Sequence, residues 1–369
     1  MRLSSRLSLF LTLAWTLVLF GGWALLAERT SEAAPPAYHP DLEFNVLAHI
    51  PVGDDPRGIA VVGDKVYVAN HDDDSLSVID ADTLTVTQEI TAGISNPCSI
   101  AYNPSNRYLY VTNRPESGNG TVAVISPTTG LTVTNPIVVG TKPTGIAFNP
   151  NDGYIYVVMN DVPGSVWVIS GISFLDTVTD TDPISLNWPA HIAVKEASNL
   201  LYVTNHGGTV SVIDGSTRTV TEELQLNLED LWGIAVDQTT GWVYAAARTG
   251  GELGRIQPND TVTDSIKPDP PASLGMVAVD SYNQLVFVTE DEPDASPTGA
   301  LEHVLVFDAE AGDWVDEFEI TVQQDPERGM AFDPVKNRLY VSNRISNTVT
   351  VIGESVGEIY LPIIMRSFS

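Results

Sequence analysis

The chain has 369 residues, 43% of them hydrophobic, which is enough to bury a sizeable core and excludes general disorder. Its 18 Lys and Arg stand against 47 Asp and Glu, a net charge of −29, which argues against broad nucleic-acid binding, since that needs a basic face. A single cysteine excludes a disulfide framework, a multi-cysteine zinc centre and a covalent haem attachment pair.

The N-terminus carries Arg2 and Arg6, then the apolar run Leu7 to Ala27, then Ser31-Glu32-Ala33. A basic start, an apolar stretch and a small-x-small site make an export signal over residues 1–33, with cleavage expected after Ala33. An uncleaved anchor is the alternative, because the run is 21 residues long. With cleavage the mature form has no membrane span and is expected outside the cytoplasm: extracellular, at the cell surface or periplasmic. Residues 34–40 read as a short linker containing proline.

From residue 41 to 353 one pattern recurs. Gly58-Ile59-Ala60, Ser99-Ile100-Ala101, Gly145-Ile146-Ala147, His191-Ile192-Ala193, Gly233-Ile234-Ala235, Met276-Val277-Ala278 and Gly329-Met330-Ala331 are seven copies of one segment. Their alanines are 41, 46, 46, 42, 43 and 53 residues apart. Each copy is followed by an aromatic-led run beginning at Tyr67, Tyr110, Tyr156, Tyr202, Tyr244, Phe287 or Tyr340. Turn sequences such as Asn103-Pro104-Ser105-Asn106 separate the two, since Pro fixes φ and Asn tolerates the left-handed region. A third run alternates with period two, as in Val122-Ala123-Val124-Ile125 and Val210-Ser211-Val212-Ile213, and Leu253-Gly254-Arg255-Ile256 is its weakest copy. A fourth is rich in Thr and Val, at Thr85, Thr132, Thr177, Thr219, Thr261 and Trp314. β-branched alternation of this kind is strand.

Four strands repeated seven times at about 45 residues predict an all-β protein, a seven-bladed β-propeller of four-stranded antiparallel blades. The first run suits the crowded inner strand and the polar fourth run the outer edge. The seventh copy lacks a fourth strand after Ile352. Residues 44–53 resemble one, so the ring is expected to be closed by this N-terminal strand. The apolar tail 354–369 lies outside the repeat and is expected to pack on the propeller.

Tyr110-Val111-Thr112-Asn113 and Tyr202-Val203-Thr204-Asn205 carry the tetrapeptide that names the YVTN β-propeller repeat family. Tyr67-Val68-Ala69-Asn70 and Tyr340-Val341-Ser342-Asn343 are near matches, while the copies at Tyr156, Tyr244 and Phe287 depart from it. The chain resembles this family over residues 41–353. The resemblance implies the fold, a bacterial or archaeal surface or periplasmic setting, and a relation to lactonase-like propellers; it implies little about activity.

Inner strands begin, and second strands end, at one face of the ring, here called the top. The central positions there read Arg57, Cys98, Thr144, Ala190, Trp232, Gly275 and Arg328, and the next layer adds His191. The ends of the second strands add Arg114, His206, Arg248 and Arg344. Five arginines on one rim of an acidic protein suit an anion, since the guanidinium fork matches carboxylate or phosphate; the competing reading pairs them with Asp54, Asp55, Asp72, Asp161 and Asp291. The candidate binding residues are therefore Arg57, Arg328, Trp232, His191, His206, Arg114, Arg248 and Arg344. Arg57 and Arg328 lie on neighbouring blades, suited to share one anion. No metal site and no cofactor are expected, and Asp72-Asp73-Asp74 reads as a solvated acidic loop. The function expected is a binding or scaffolding module for a protein, a glycan or a small anion. The alternative is a lactonase-like hydrolase or lyase working through His191, His206 and neighbouring acids.

Overall fold

The computed structural model describes residues 44–171, 183–269, 271–290, 302–323 and 329–354. The export signal, the linker, the tail beyond Glu354, Arg328, Asp291 and the fourth-strand segment at Thr177 lie outside the described residues.

Seven antiparallel sheets follow one another around the ring. Strand β1 (Phe44–Pro51) precedes the first blade, which holds β2 (Pro56–Val62), β3 (Lys65–Asn70), β4 (Ser75–Asp80) and β5 (Thr85–Ile90). The second blade holds β6 (Pro97–Asn103), β7 (Tyr108–Asn113), β8 (Asn119–Ile125) and β9 (Ile137–Thr141). The third holds β10 (Pro143–Phe148), β11 (Tyr154–Met159), β12 (Gly164–Ser170) and β13 (Ile184–Leu186). The fourth holds β14 (Pro189–Lys195), β15 (Leu200–Asn205), β16 (Thr209–Asp214) and β17 (Thr219–Gln225). The fifth holds β18 (Glu229–Val236), β19 (Val243–Thr249) and β20 (Leu253–Ile256). The sixth holds β21 (Leu274–Asp280), β22 (Leu285–Glu290), β23 (His303–Asp308) and β24 (Asp313–Thr321). The seventh holds β25 (Met330–Asp333), β26 (Arg338–Asn343), β27 (Thr348–Glu354) and β1.

The last sheet bears out the expected closure. β1 runs antiparallel to β27 from Phe44 opposite Glu354 to Pro51 opposite Thr348. The inner strands touch in sequence, and β25 returns to β2, so the ring is complete.

The core sits between blades. One cluster joins Tyr202, Val210 and Val212 of the fourth blade to Ile234, Val243 and Ala245 of the fifth, and six others repeat the arrangement. A second strand is covered on both faces by neighbouring blades, and β3, β7, β11, β15 and β26 are buried at every residue after the first. The outer β5 is exposed at five of its six residues. This contrast is why the fourth runs are the most polar, while the inner β2, with three of its seven residues buried, is less covered than the second strand. Gly58 shows how closely inner strands approach: a Cβ there would lie 2.6 Å from the Ser99 Cα of the next blade.

The three polar residues of the tetrapeptide each have a physical task. In six inner strands the pairing slips between a residue at or near the strand start and the Ile or Val three positions on, a bulge that leaves an N–H without its ladder partner. The Thr hydroxyl fills that gap. Thr112 Oγ1 accepts Ser99 N–H at 2.9 Å, Thr204 Oγ1 accepts His191 N–H at 3.1 Å, and Thr289 Oγ1 accepts Met276 N–H at 2.7 Å. Thr204 also donates to the Trp232 carbonyl of the next blade at 2.6 Å. The Asn amide bridges two hydroxyls of the third strand: Asn205 Nδ2 lies 3.0 Å from Thr209 Oγ1 and 2.8 Å from Ser211 Oγ. At the opposite face, called the bottom, the Tyr hydroxyl staples a blade to its neighbour. Tyr67 reaches the Pro127 carbonyl at 3.5 Å, Tyr156 the Gly215 carbonyl at 3.4 Å, and Tyr202 the Asp260 carboxylate. Between the seventh and first blades this role passes to Arg338, bonded to the Ala81 carbonyl, and Lys336, 2.6 Å from Asp82.

The outer strands depart from expectation in three blades. In the third, the described outer strand is Ile184–Leu186, downstream of the segment expected at Thr177, which lies outside the described residues. In the second, the segment starting at Thr132 makes one bridge to Ile125 and then breaks; pairing resumes at Ile137. Pro136, with no N–H to give, sits at the break. In the fifth, residues 262–266 hold the outer edge through isolated bridges, Val262 to Ile256 and Ile266 to Leu253, one residue out of step with each other.

Candidate functional site

The top is built from a repeated turn. In five blades the residue four positions before the Ile of the inner strand takes a left-handed conformation: Asp55 (φ 52°), Asn96 (φ 45°), Lys142 (φ 48°), Trp188 (φ 56°) and Asp230 (φ 56°). In four of these blades its carbonyl accepts the N–H of the residue just after the second strand. The pairs are Asp55 with His71, Asn96 with Arg114, Lys142 with Asn160 and Trp188 with His206, at 2.9–3.0 Å. Each of these four blades thus presents two adjacent side chains at the rim, one from each position.

Asp and Asn suit a left-handed residue, because their short polar side chains bond locally. Trp has no such reason to be there. Trp188 is nonetheless 46% exposed, with its ring 4.4 Å from that of His206 and tilted 33° to it. Behind His206 the stack continues. The Trp232 ring centroid is 5.5 Å from the His206 ring and 4.9 Å from that of His191, and the Arg248 guanidinium sits 3.9 Å over the Trp232 ring. Trp232 is buried; Trp188 is the open face of the layered group.

Polar contacts fix the central imidazole. Asn160 Nδ2 lies 2.9 Å from the Pro189 carbonyl and 2.9 Å from His206 Nε2. The carbonyl can only accept, which orients the amide, so Nε2 accepts and the proton sits on Nδ1. Nδ1 donates to the Asp230 carboxylate. That bond holds the Asp230 carboxyl below its usual range; partial burial opposes the shift, and the Arg248 charge adds to it.

The structure therefore brings together four of the residues expected from the sequence, Trp232, His191, His206 and Arg248, on the fourth and fifth blades. Arg57 stands apart, on the first blade. Its Nη2 lies 2.6 Å and its Nε 3.1 Å from Asp55 Oδ2, and the guanidinium also faces the Cys98 thiol. Arg328, its expected partner, is outside the described residues, although the Gly329 that follows it packs against Arg57. Arg114 is half-buried and makes no ion pair among the described residues; Arg344 follows β26 at the rim of the seventh blade. Lys142 is 3.5 Å from Asp161. His71 is buried, and burial first, then the Arg57 charge, holds its imidazole below the ordinary histidine value.

Trp188, Asp230 and the bridging role of Asn160 escaped the sequence reading. The signal for Trp188 lies four residues before the Ile of each inner strand, where Asp55, Asn96, Lys142 and Asp230 are polar and one copy is a large aromatic.

No family model matches the chain, and no curated protein matches it. Among solved structures it is similar to the hydrazine synthase of Kuenenia stuttgartiensis (TM-score 0.66, 16% identity, 89% of this chain and 100% of that one). It is also similar to the Cps50 (Swd1) β-propeller domain of Myceliophteria thermophila (TM-score 0.66, 11% identity, 85% of this chain and 100% of that one). At such identities the likeness speaks for architecture alone, and that architecture is the seven-bladed β-propeller.

Proposed function

We propose that this chain is an exported binding module of the YVTN type, and that it holds a glycan on top of the fourth and fifth blades. The observation that carries the proposal is Trp188. A bulky aromatic occupies a left-handed backbone position that three of the four equivalent turns fill with Asp or Asn, and it leaves nearly half its surface open. Strain at such a residue is kept where the side chain itself is used. A flat indole packs against the C–H face of a sugar ring, while His206 and Trp232 brace it from behind and Arg248 brings positive charge toward acidic substituents. The repeat resemblance and the basic, apolar N-terminus support the YVTN assignment and export.

The hydrolase alternative needs a free base. His206 has its carboxylate partner, but its Nε2 lone pair is taken by Asn160, which suits a braced wall better than proton transfer.

The test is a glycan panel, neutral and acidic, titrated against the wild type and Trp188→Asn while following Trp fluorescence and heat. Asn keeps the left-handed turn, as Asn96 does in the second blade. A saccharide that binds the wild type and loses tenfold or more in affinity, about 1.4 kcal/mol, in the variant supports the reading. Equal affinities, or no binding across the panel, overturn it. Turnover of lactones that is lost in His206→Asn would favour the hydrolase.

A further inference from the structure

We infer that Asp55, His71 and Asp72, at the top of the first blade, form a site for a divalent transition metal of the zinc type. One ligand atom from each of the three lies within 4.8 Å of the other two. The turn itself creates the cluster: His71 N–H bonds the Asp55 carbonyl at 3.0 Å, and Asp72 N–H bonds that of Asp54 at 3.3 Å. Residues 16 or 17 positions apart are thereby fixed side by side.

Each group is presented as a ligand. His71 Nδ1 lies 3.0 Å from the Pro97 carbonyl, so it carries the proton and leaves the Nε2 lone pair available. A carbonyl behind the imidazole is the usual outer contact of a metal-bound histidine. Asp55 gives one oxygen, Oδ2, to Arg57 at 2.6 Å; the other, Oδ1, is buried and accepts no hydrogen bond. A buried carboxylate oxygen without a donor is costly, and a cation removes that cost. Asp72 is exposed and its carboxylate accepts no hydrogen bond among the described residues, so it is free to swing inward. Zinc–ligand bonds of about 2.0–2.2 Å need ligand atoms roughly 3.5 Å apart, a closure within reach of that side chain. One nitrogen and two carboxylate oxygens suit zinc, cobalt or manganese better than calcium, which takes oxygens alone. Asp54, Asp73 and Asp74 crowd the same loops: Asp54 N–H bonds Asp73 Oδ2 at 2.7 Å, and Asn96 N–H bonds Asp74 Oδ1 at 2.6 Å. Their negative charge offsets that of Arg57.

The test uses the chelator-stripped mature chain and the metals alone. Zn²⁺ is followed by calorimetry and Co²⁺ by its visible absorption. One equivalent should bind, and His71→Asn and Asp72→Asn should each weaken it tenfold or more. Asp72 is exposed, so its variant should melt as the stripped wild type does. His303→Asn, on the sixth blade, should bind as the wild type. Absence of stoichiometric binding, binding unchanged by both the His71 and Asp72 variants, or loss of binding in His303→Asn would overturn the assignment.

Discussion

Replacing Thr204 by Val tests the account of the repeat most directly. Thr204 is fully buried, and its hydroxyl accepts His191 N–H at 3.1 Å and donates to the Trp232 carbonyl at 2.6 Å. Val has the same shape, so packing is preserved and only the hydroxyl is lost. Two buried hydrogen bonds at about 1 kcal/mol each disappear, and a stranded N–H and C=O raise the cost to about 2–4 kcal/mol. For a domain near 300 residues the unfolding entropy is about 0.6–0.7 kcal/mol/K, so the melting point should fall by about 3–6 °C. Thr204→Ser is the control: it keeps both bonds and loses one methyl, for about 1 kcal/mol. Guanidinium unfolding and calorimetric melting give both numbers. A Val variant within about 0.5 kcal/mol of the wild type, or a Ser variant as unstable as Val, would refute the bulge-filling role.

Three further outcomes follow from the same structure. Tyr202→Phe removes the hydroxyl from Asp260 at the bottom and leaves the buried Lys195 with the Pro258 carbonyl at 2.6 Å and Asp260; a loss of about 1–2 kcal/mol in urea unfolding is expected, and none would show the staple to be idle. The Asp230 carboxyl titrates lower folded than unfolded, so its contribution is fully present above about pH 4, the ordinary Asp value, and is lost as pH falls through the depressed folded value. Asp230→Asn should flatten that acid limb in unfolding midpoints measured from pH 5 downward; parallel curves would contradict the assignment. Deleting residues 41–51 removes β1 and opens the seventh blade; the chain should lose cooperative melting, whereas a wild-type transition would mean that closure is dispensable.

The blade count and the closing strand were legible because the repeat is written seven times in phase, and a polar run rich in Thr marks the exposed outer edge. The tasks of Thr112, Thr204 and Tyr156 were not, since their partners Ser99, Trp232 and Gly215 sit across a bulge or on the next blade. The strand ends set which described residues line the rim, but which of them meet depended on the left-handed turn. That turn pairs Trp188 with His206 and Asp55 with His71, and neither pair is adjacent in sequence. Asp55 illustrates the difference: as a letter it reads as a salt-bridge partner, which it is, while its second oxygen becomes visible only in three dimensions.

His49 and Thr350 are hydrogen-bonded across β1 and β27 although they stand 301 positions apart in the chain. On a ribosome adding about 5–20 residues per second, His49 waits roughly 15–60 s before Thr350 exists. Until Thr348–Glu354 is made, β1 has no partner strand. The seventh blade is thus seated only after the strands of the other six exist, and anything that engages β1 in the meantime holds the circle open.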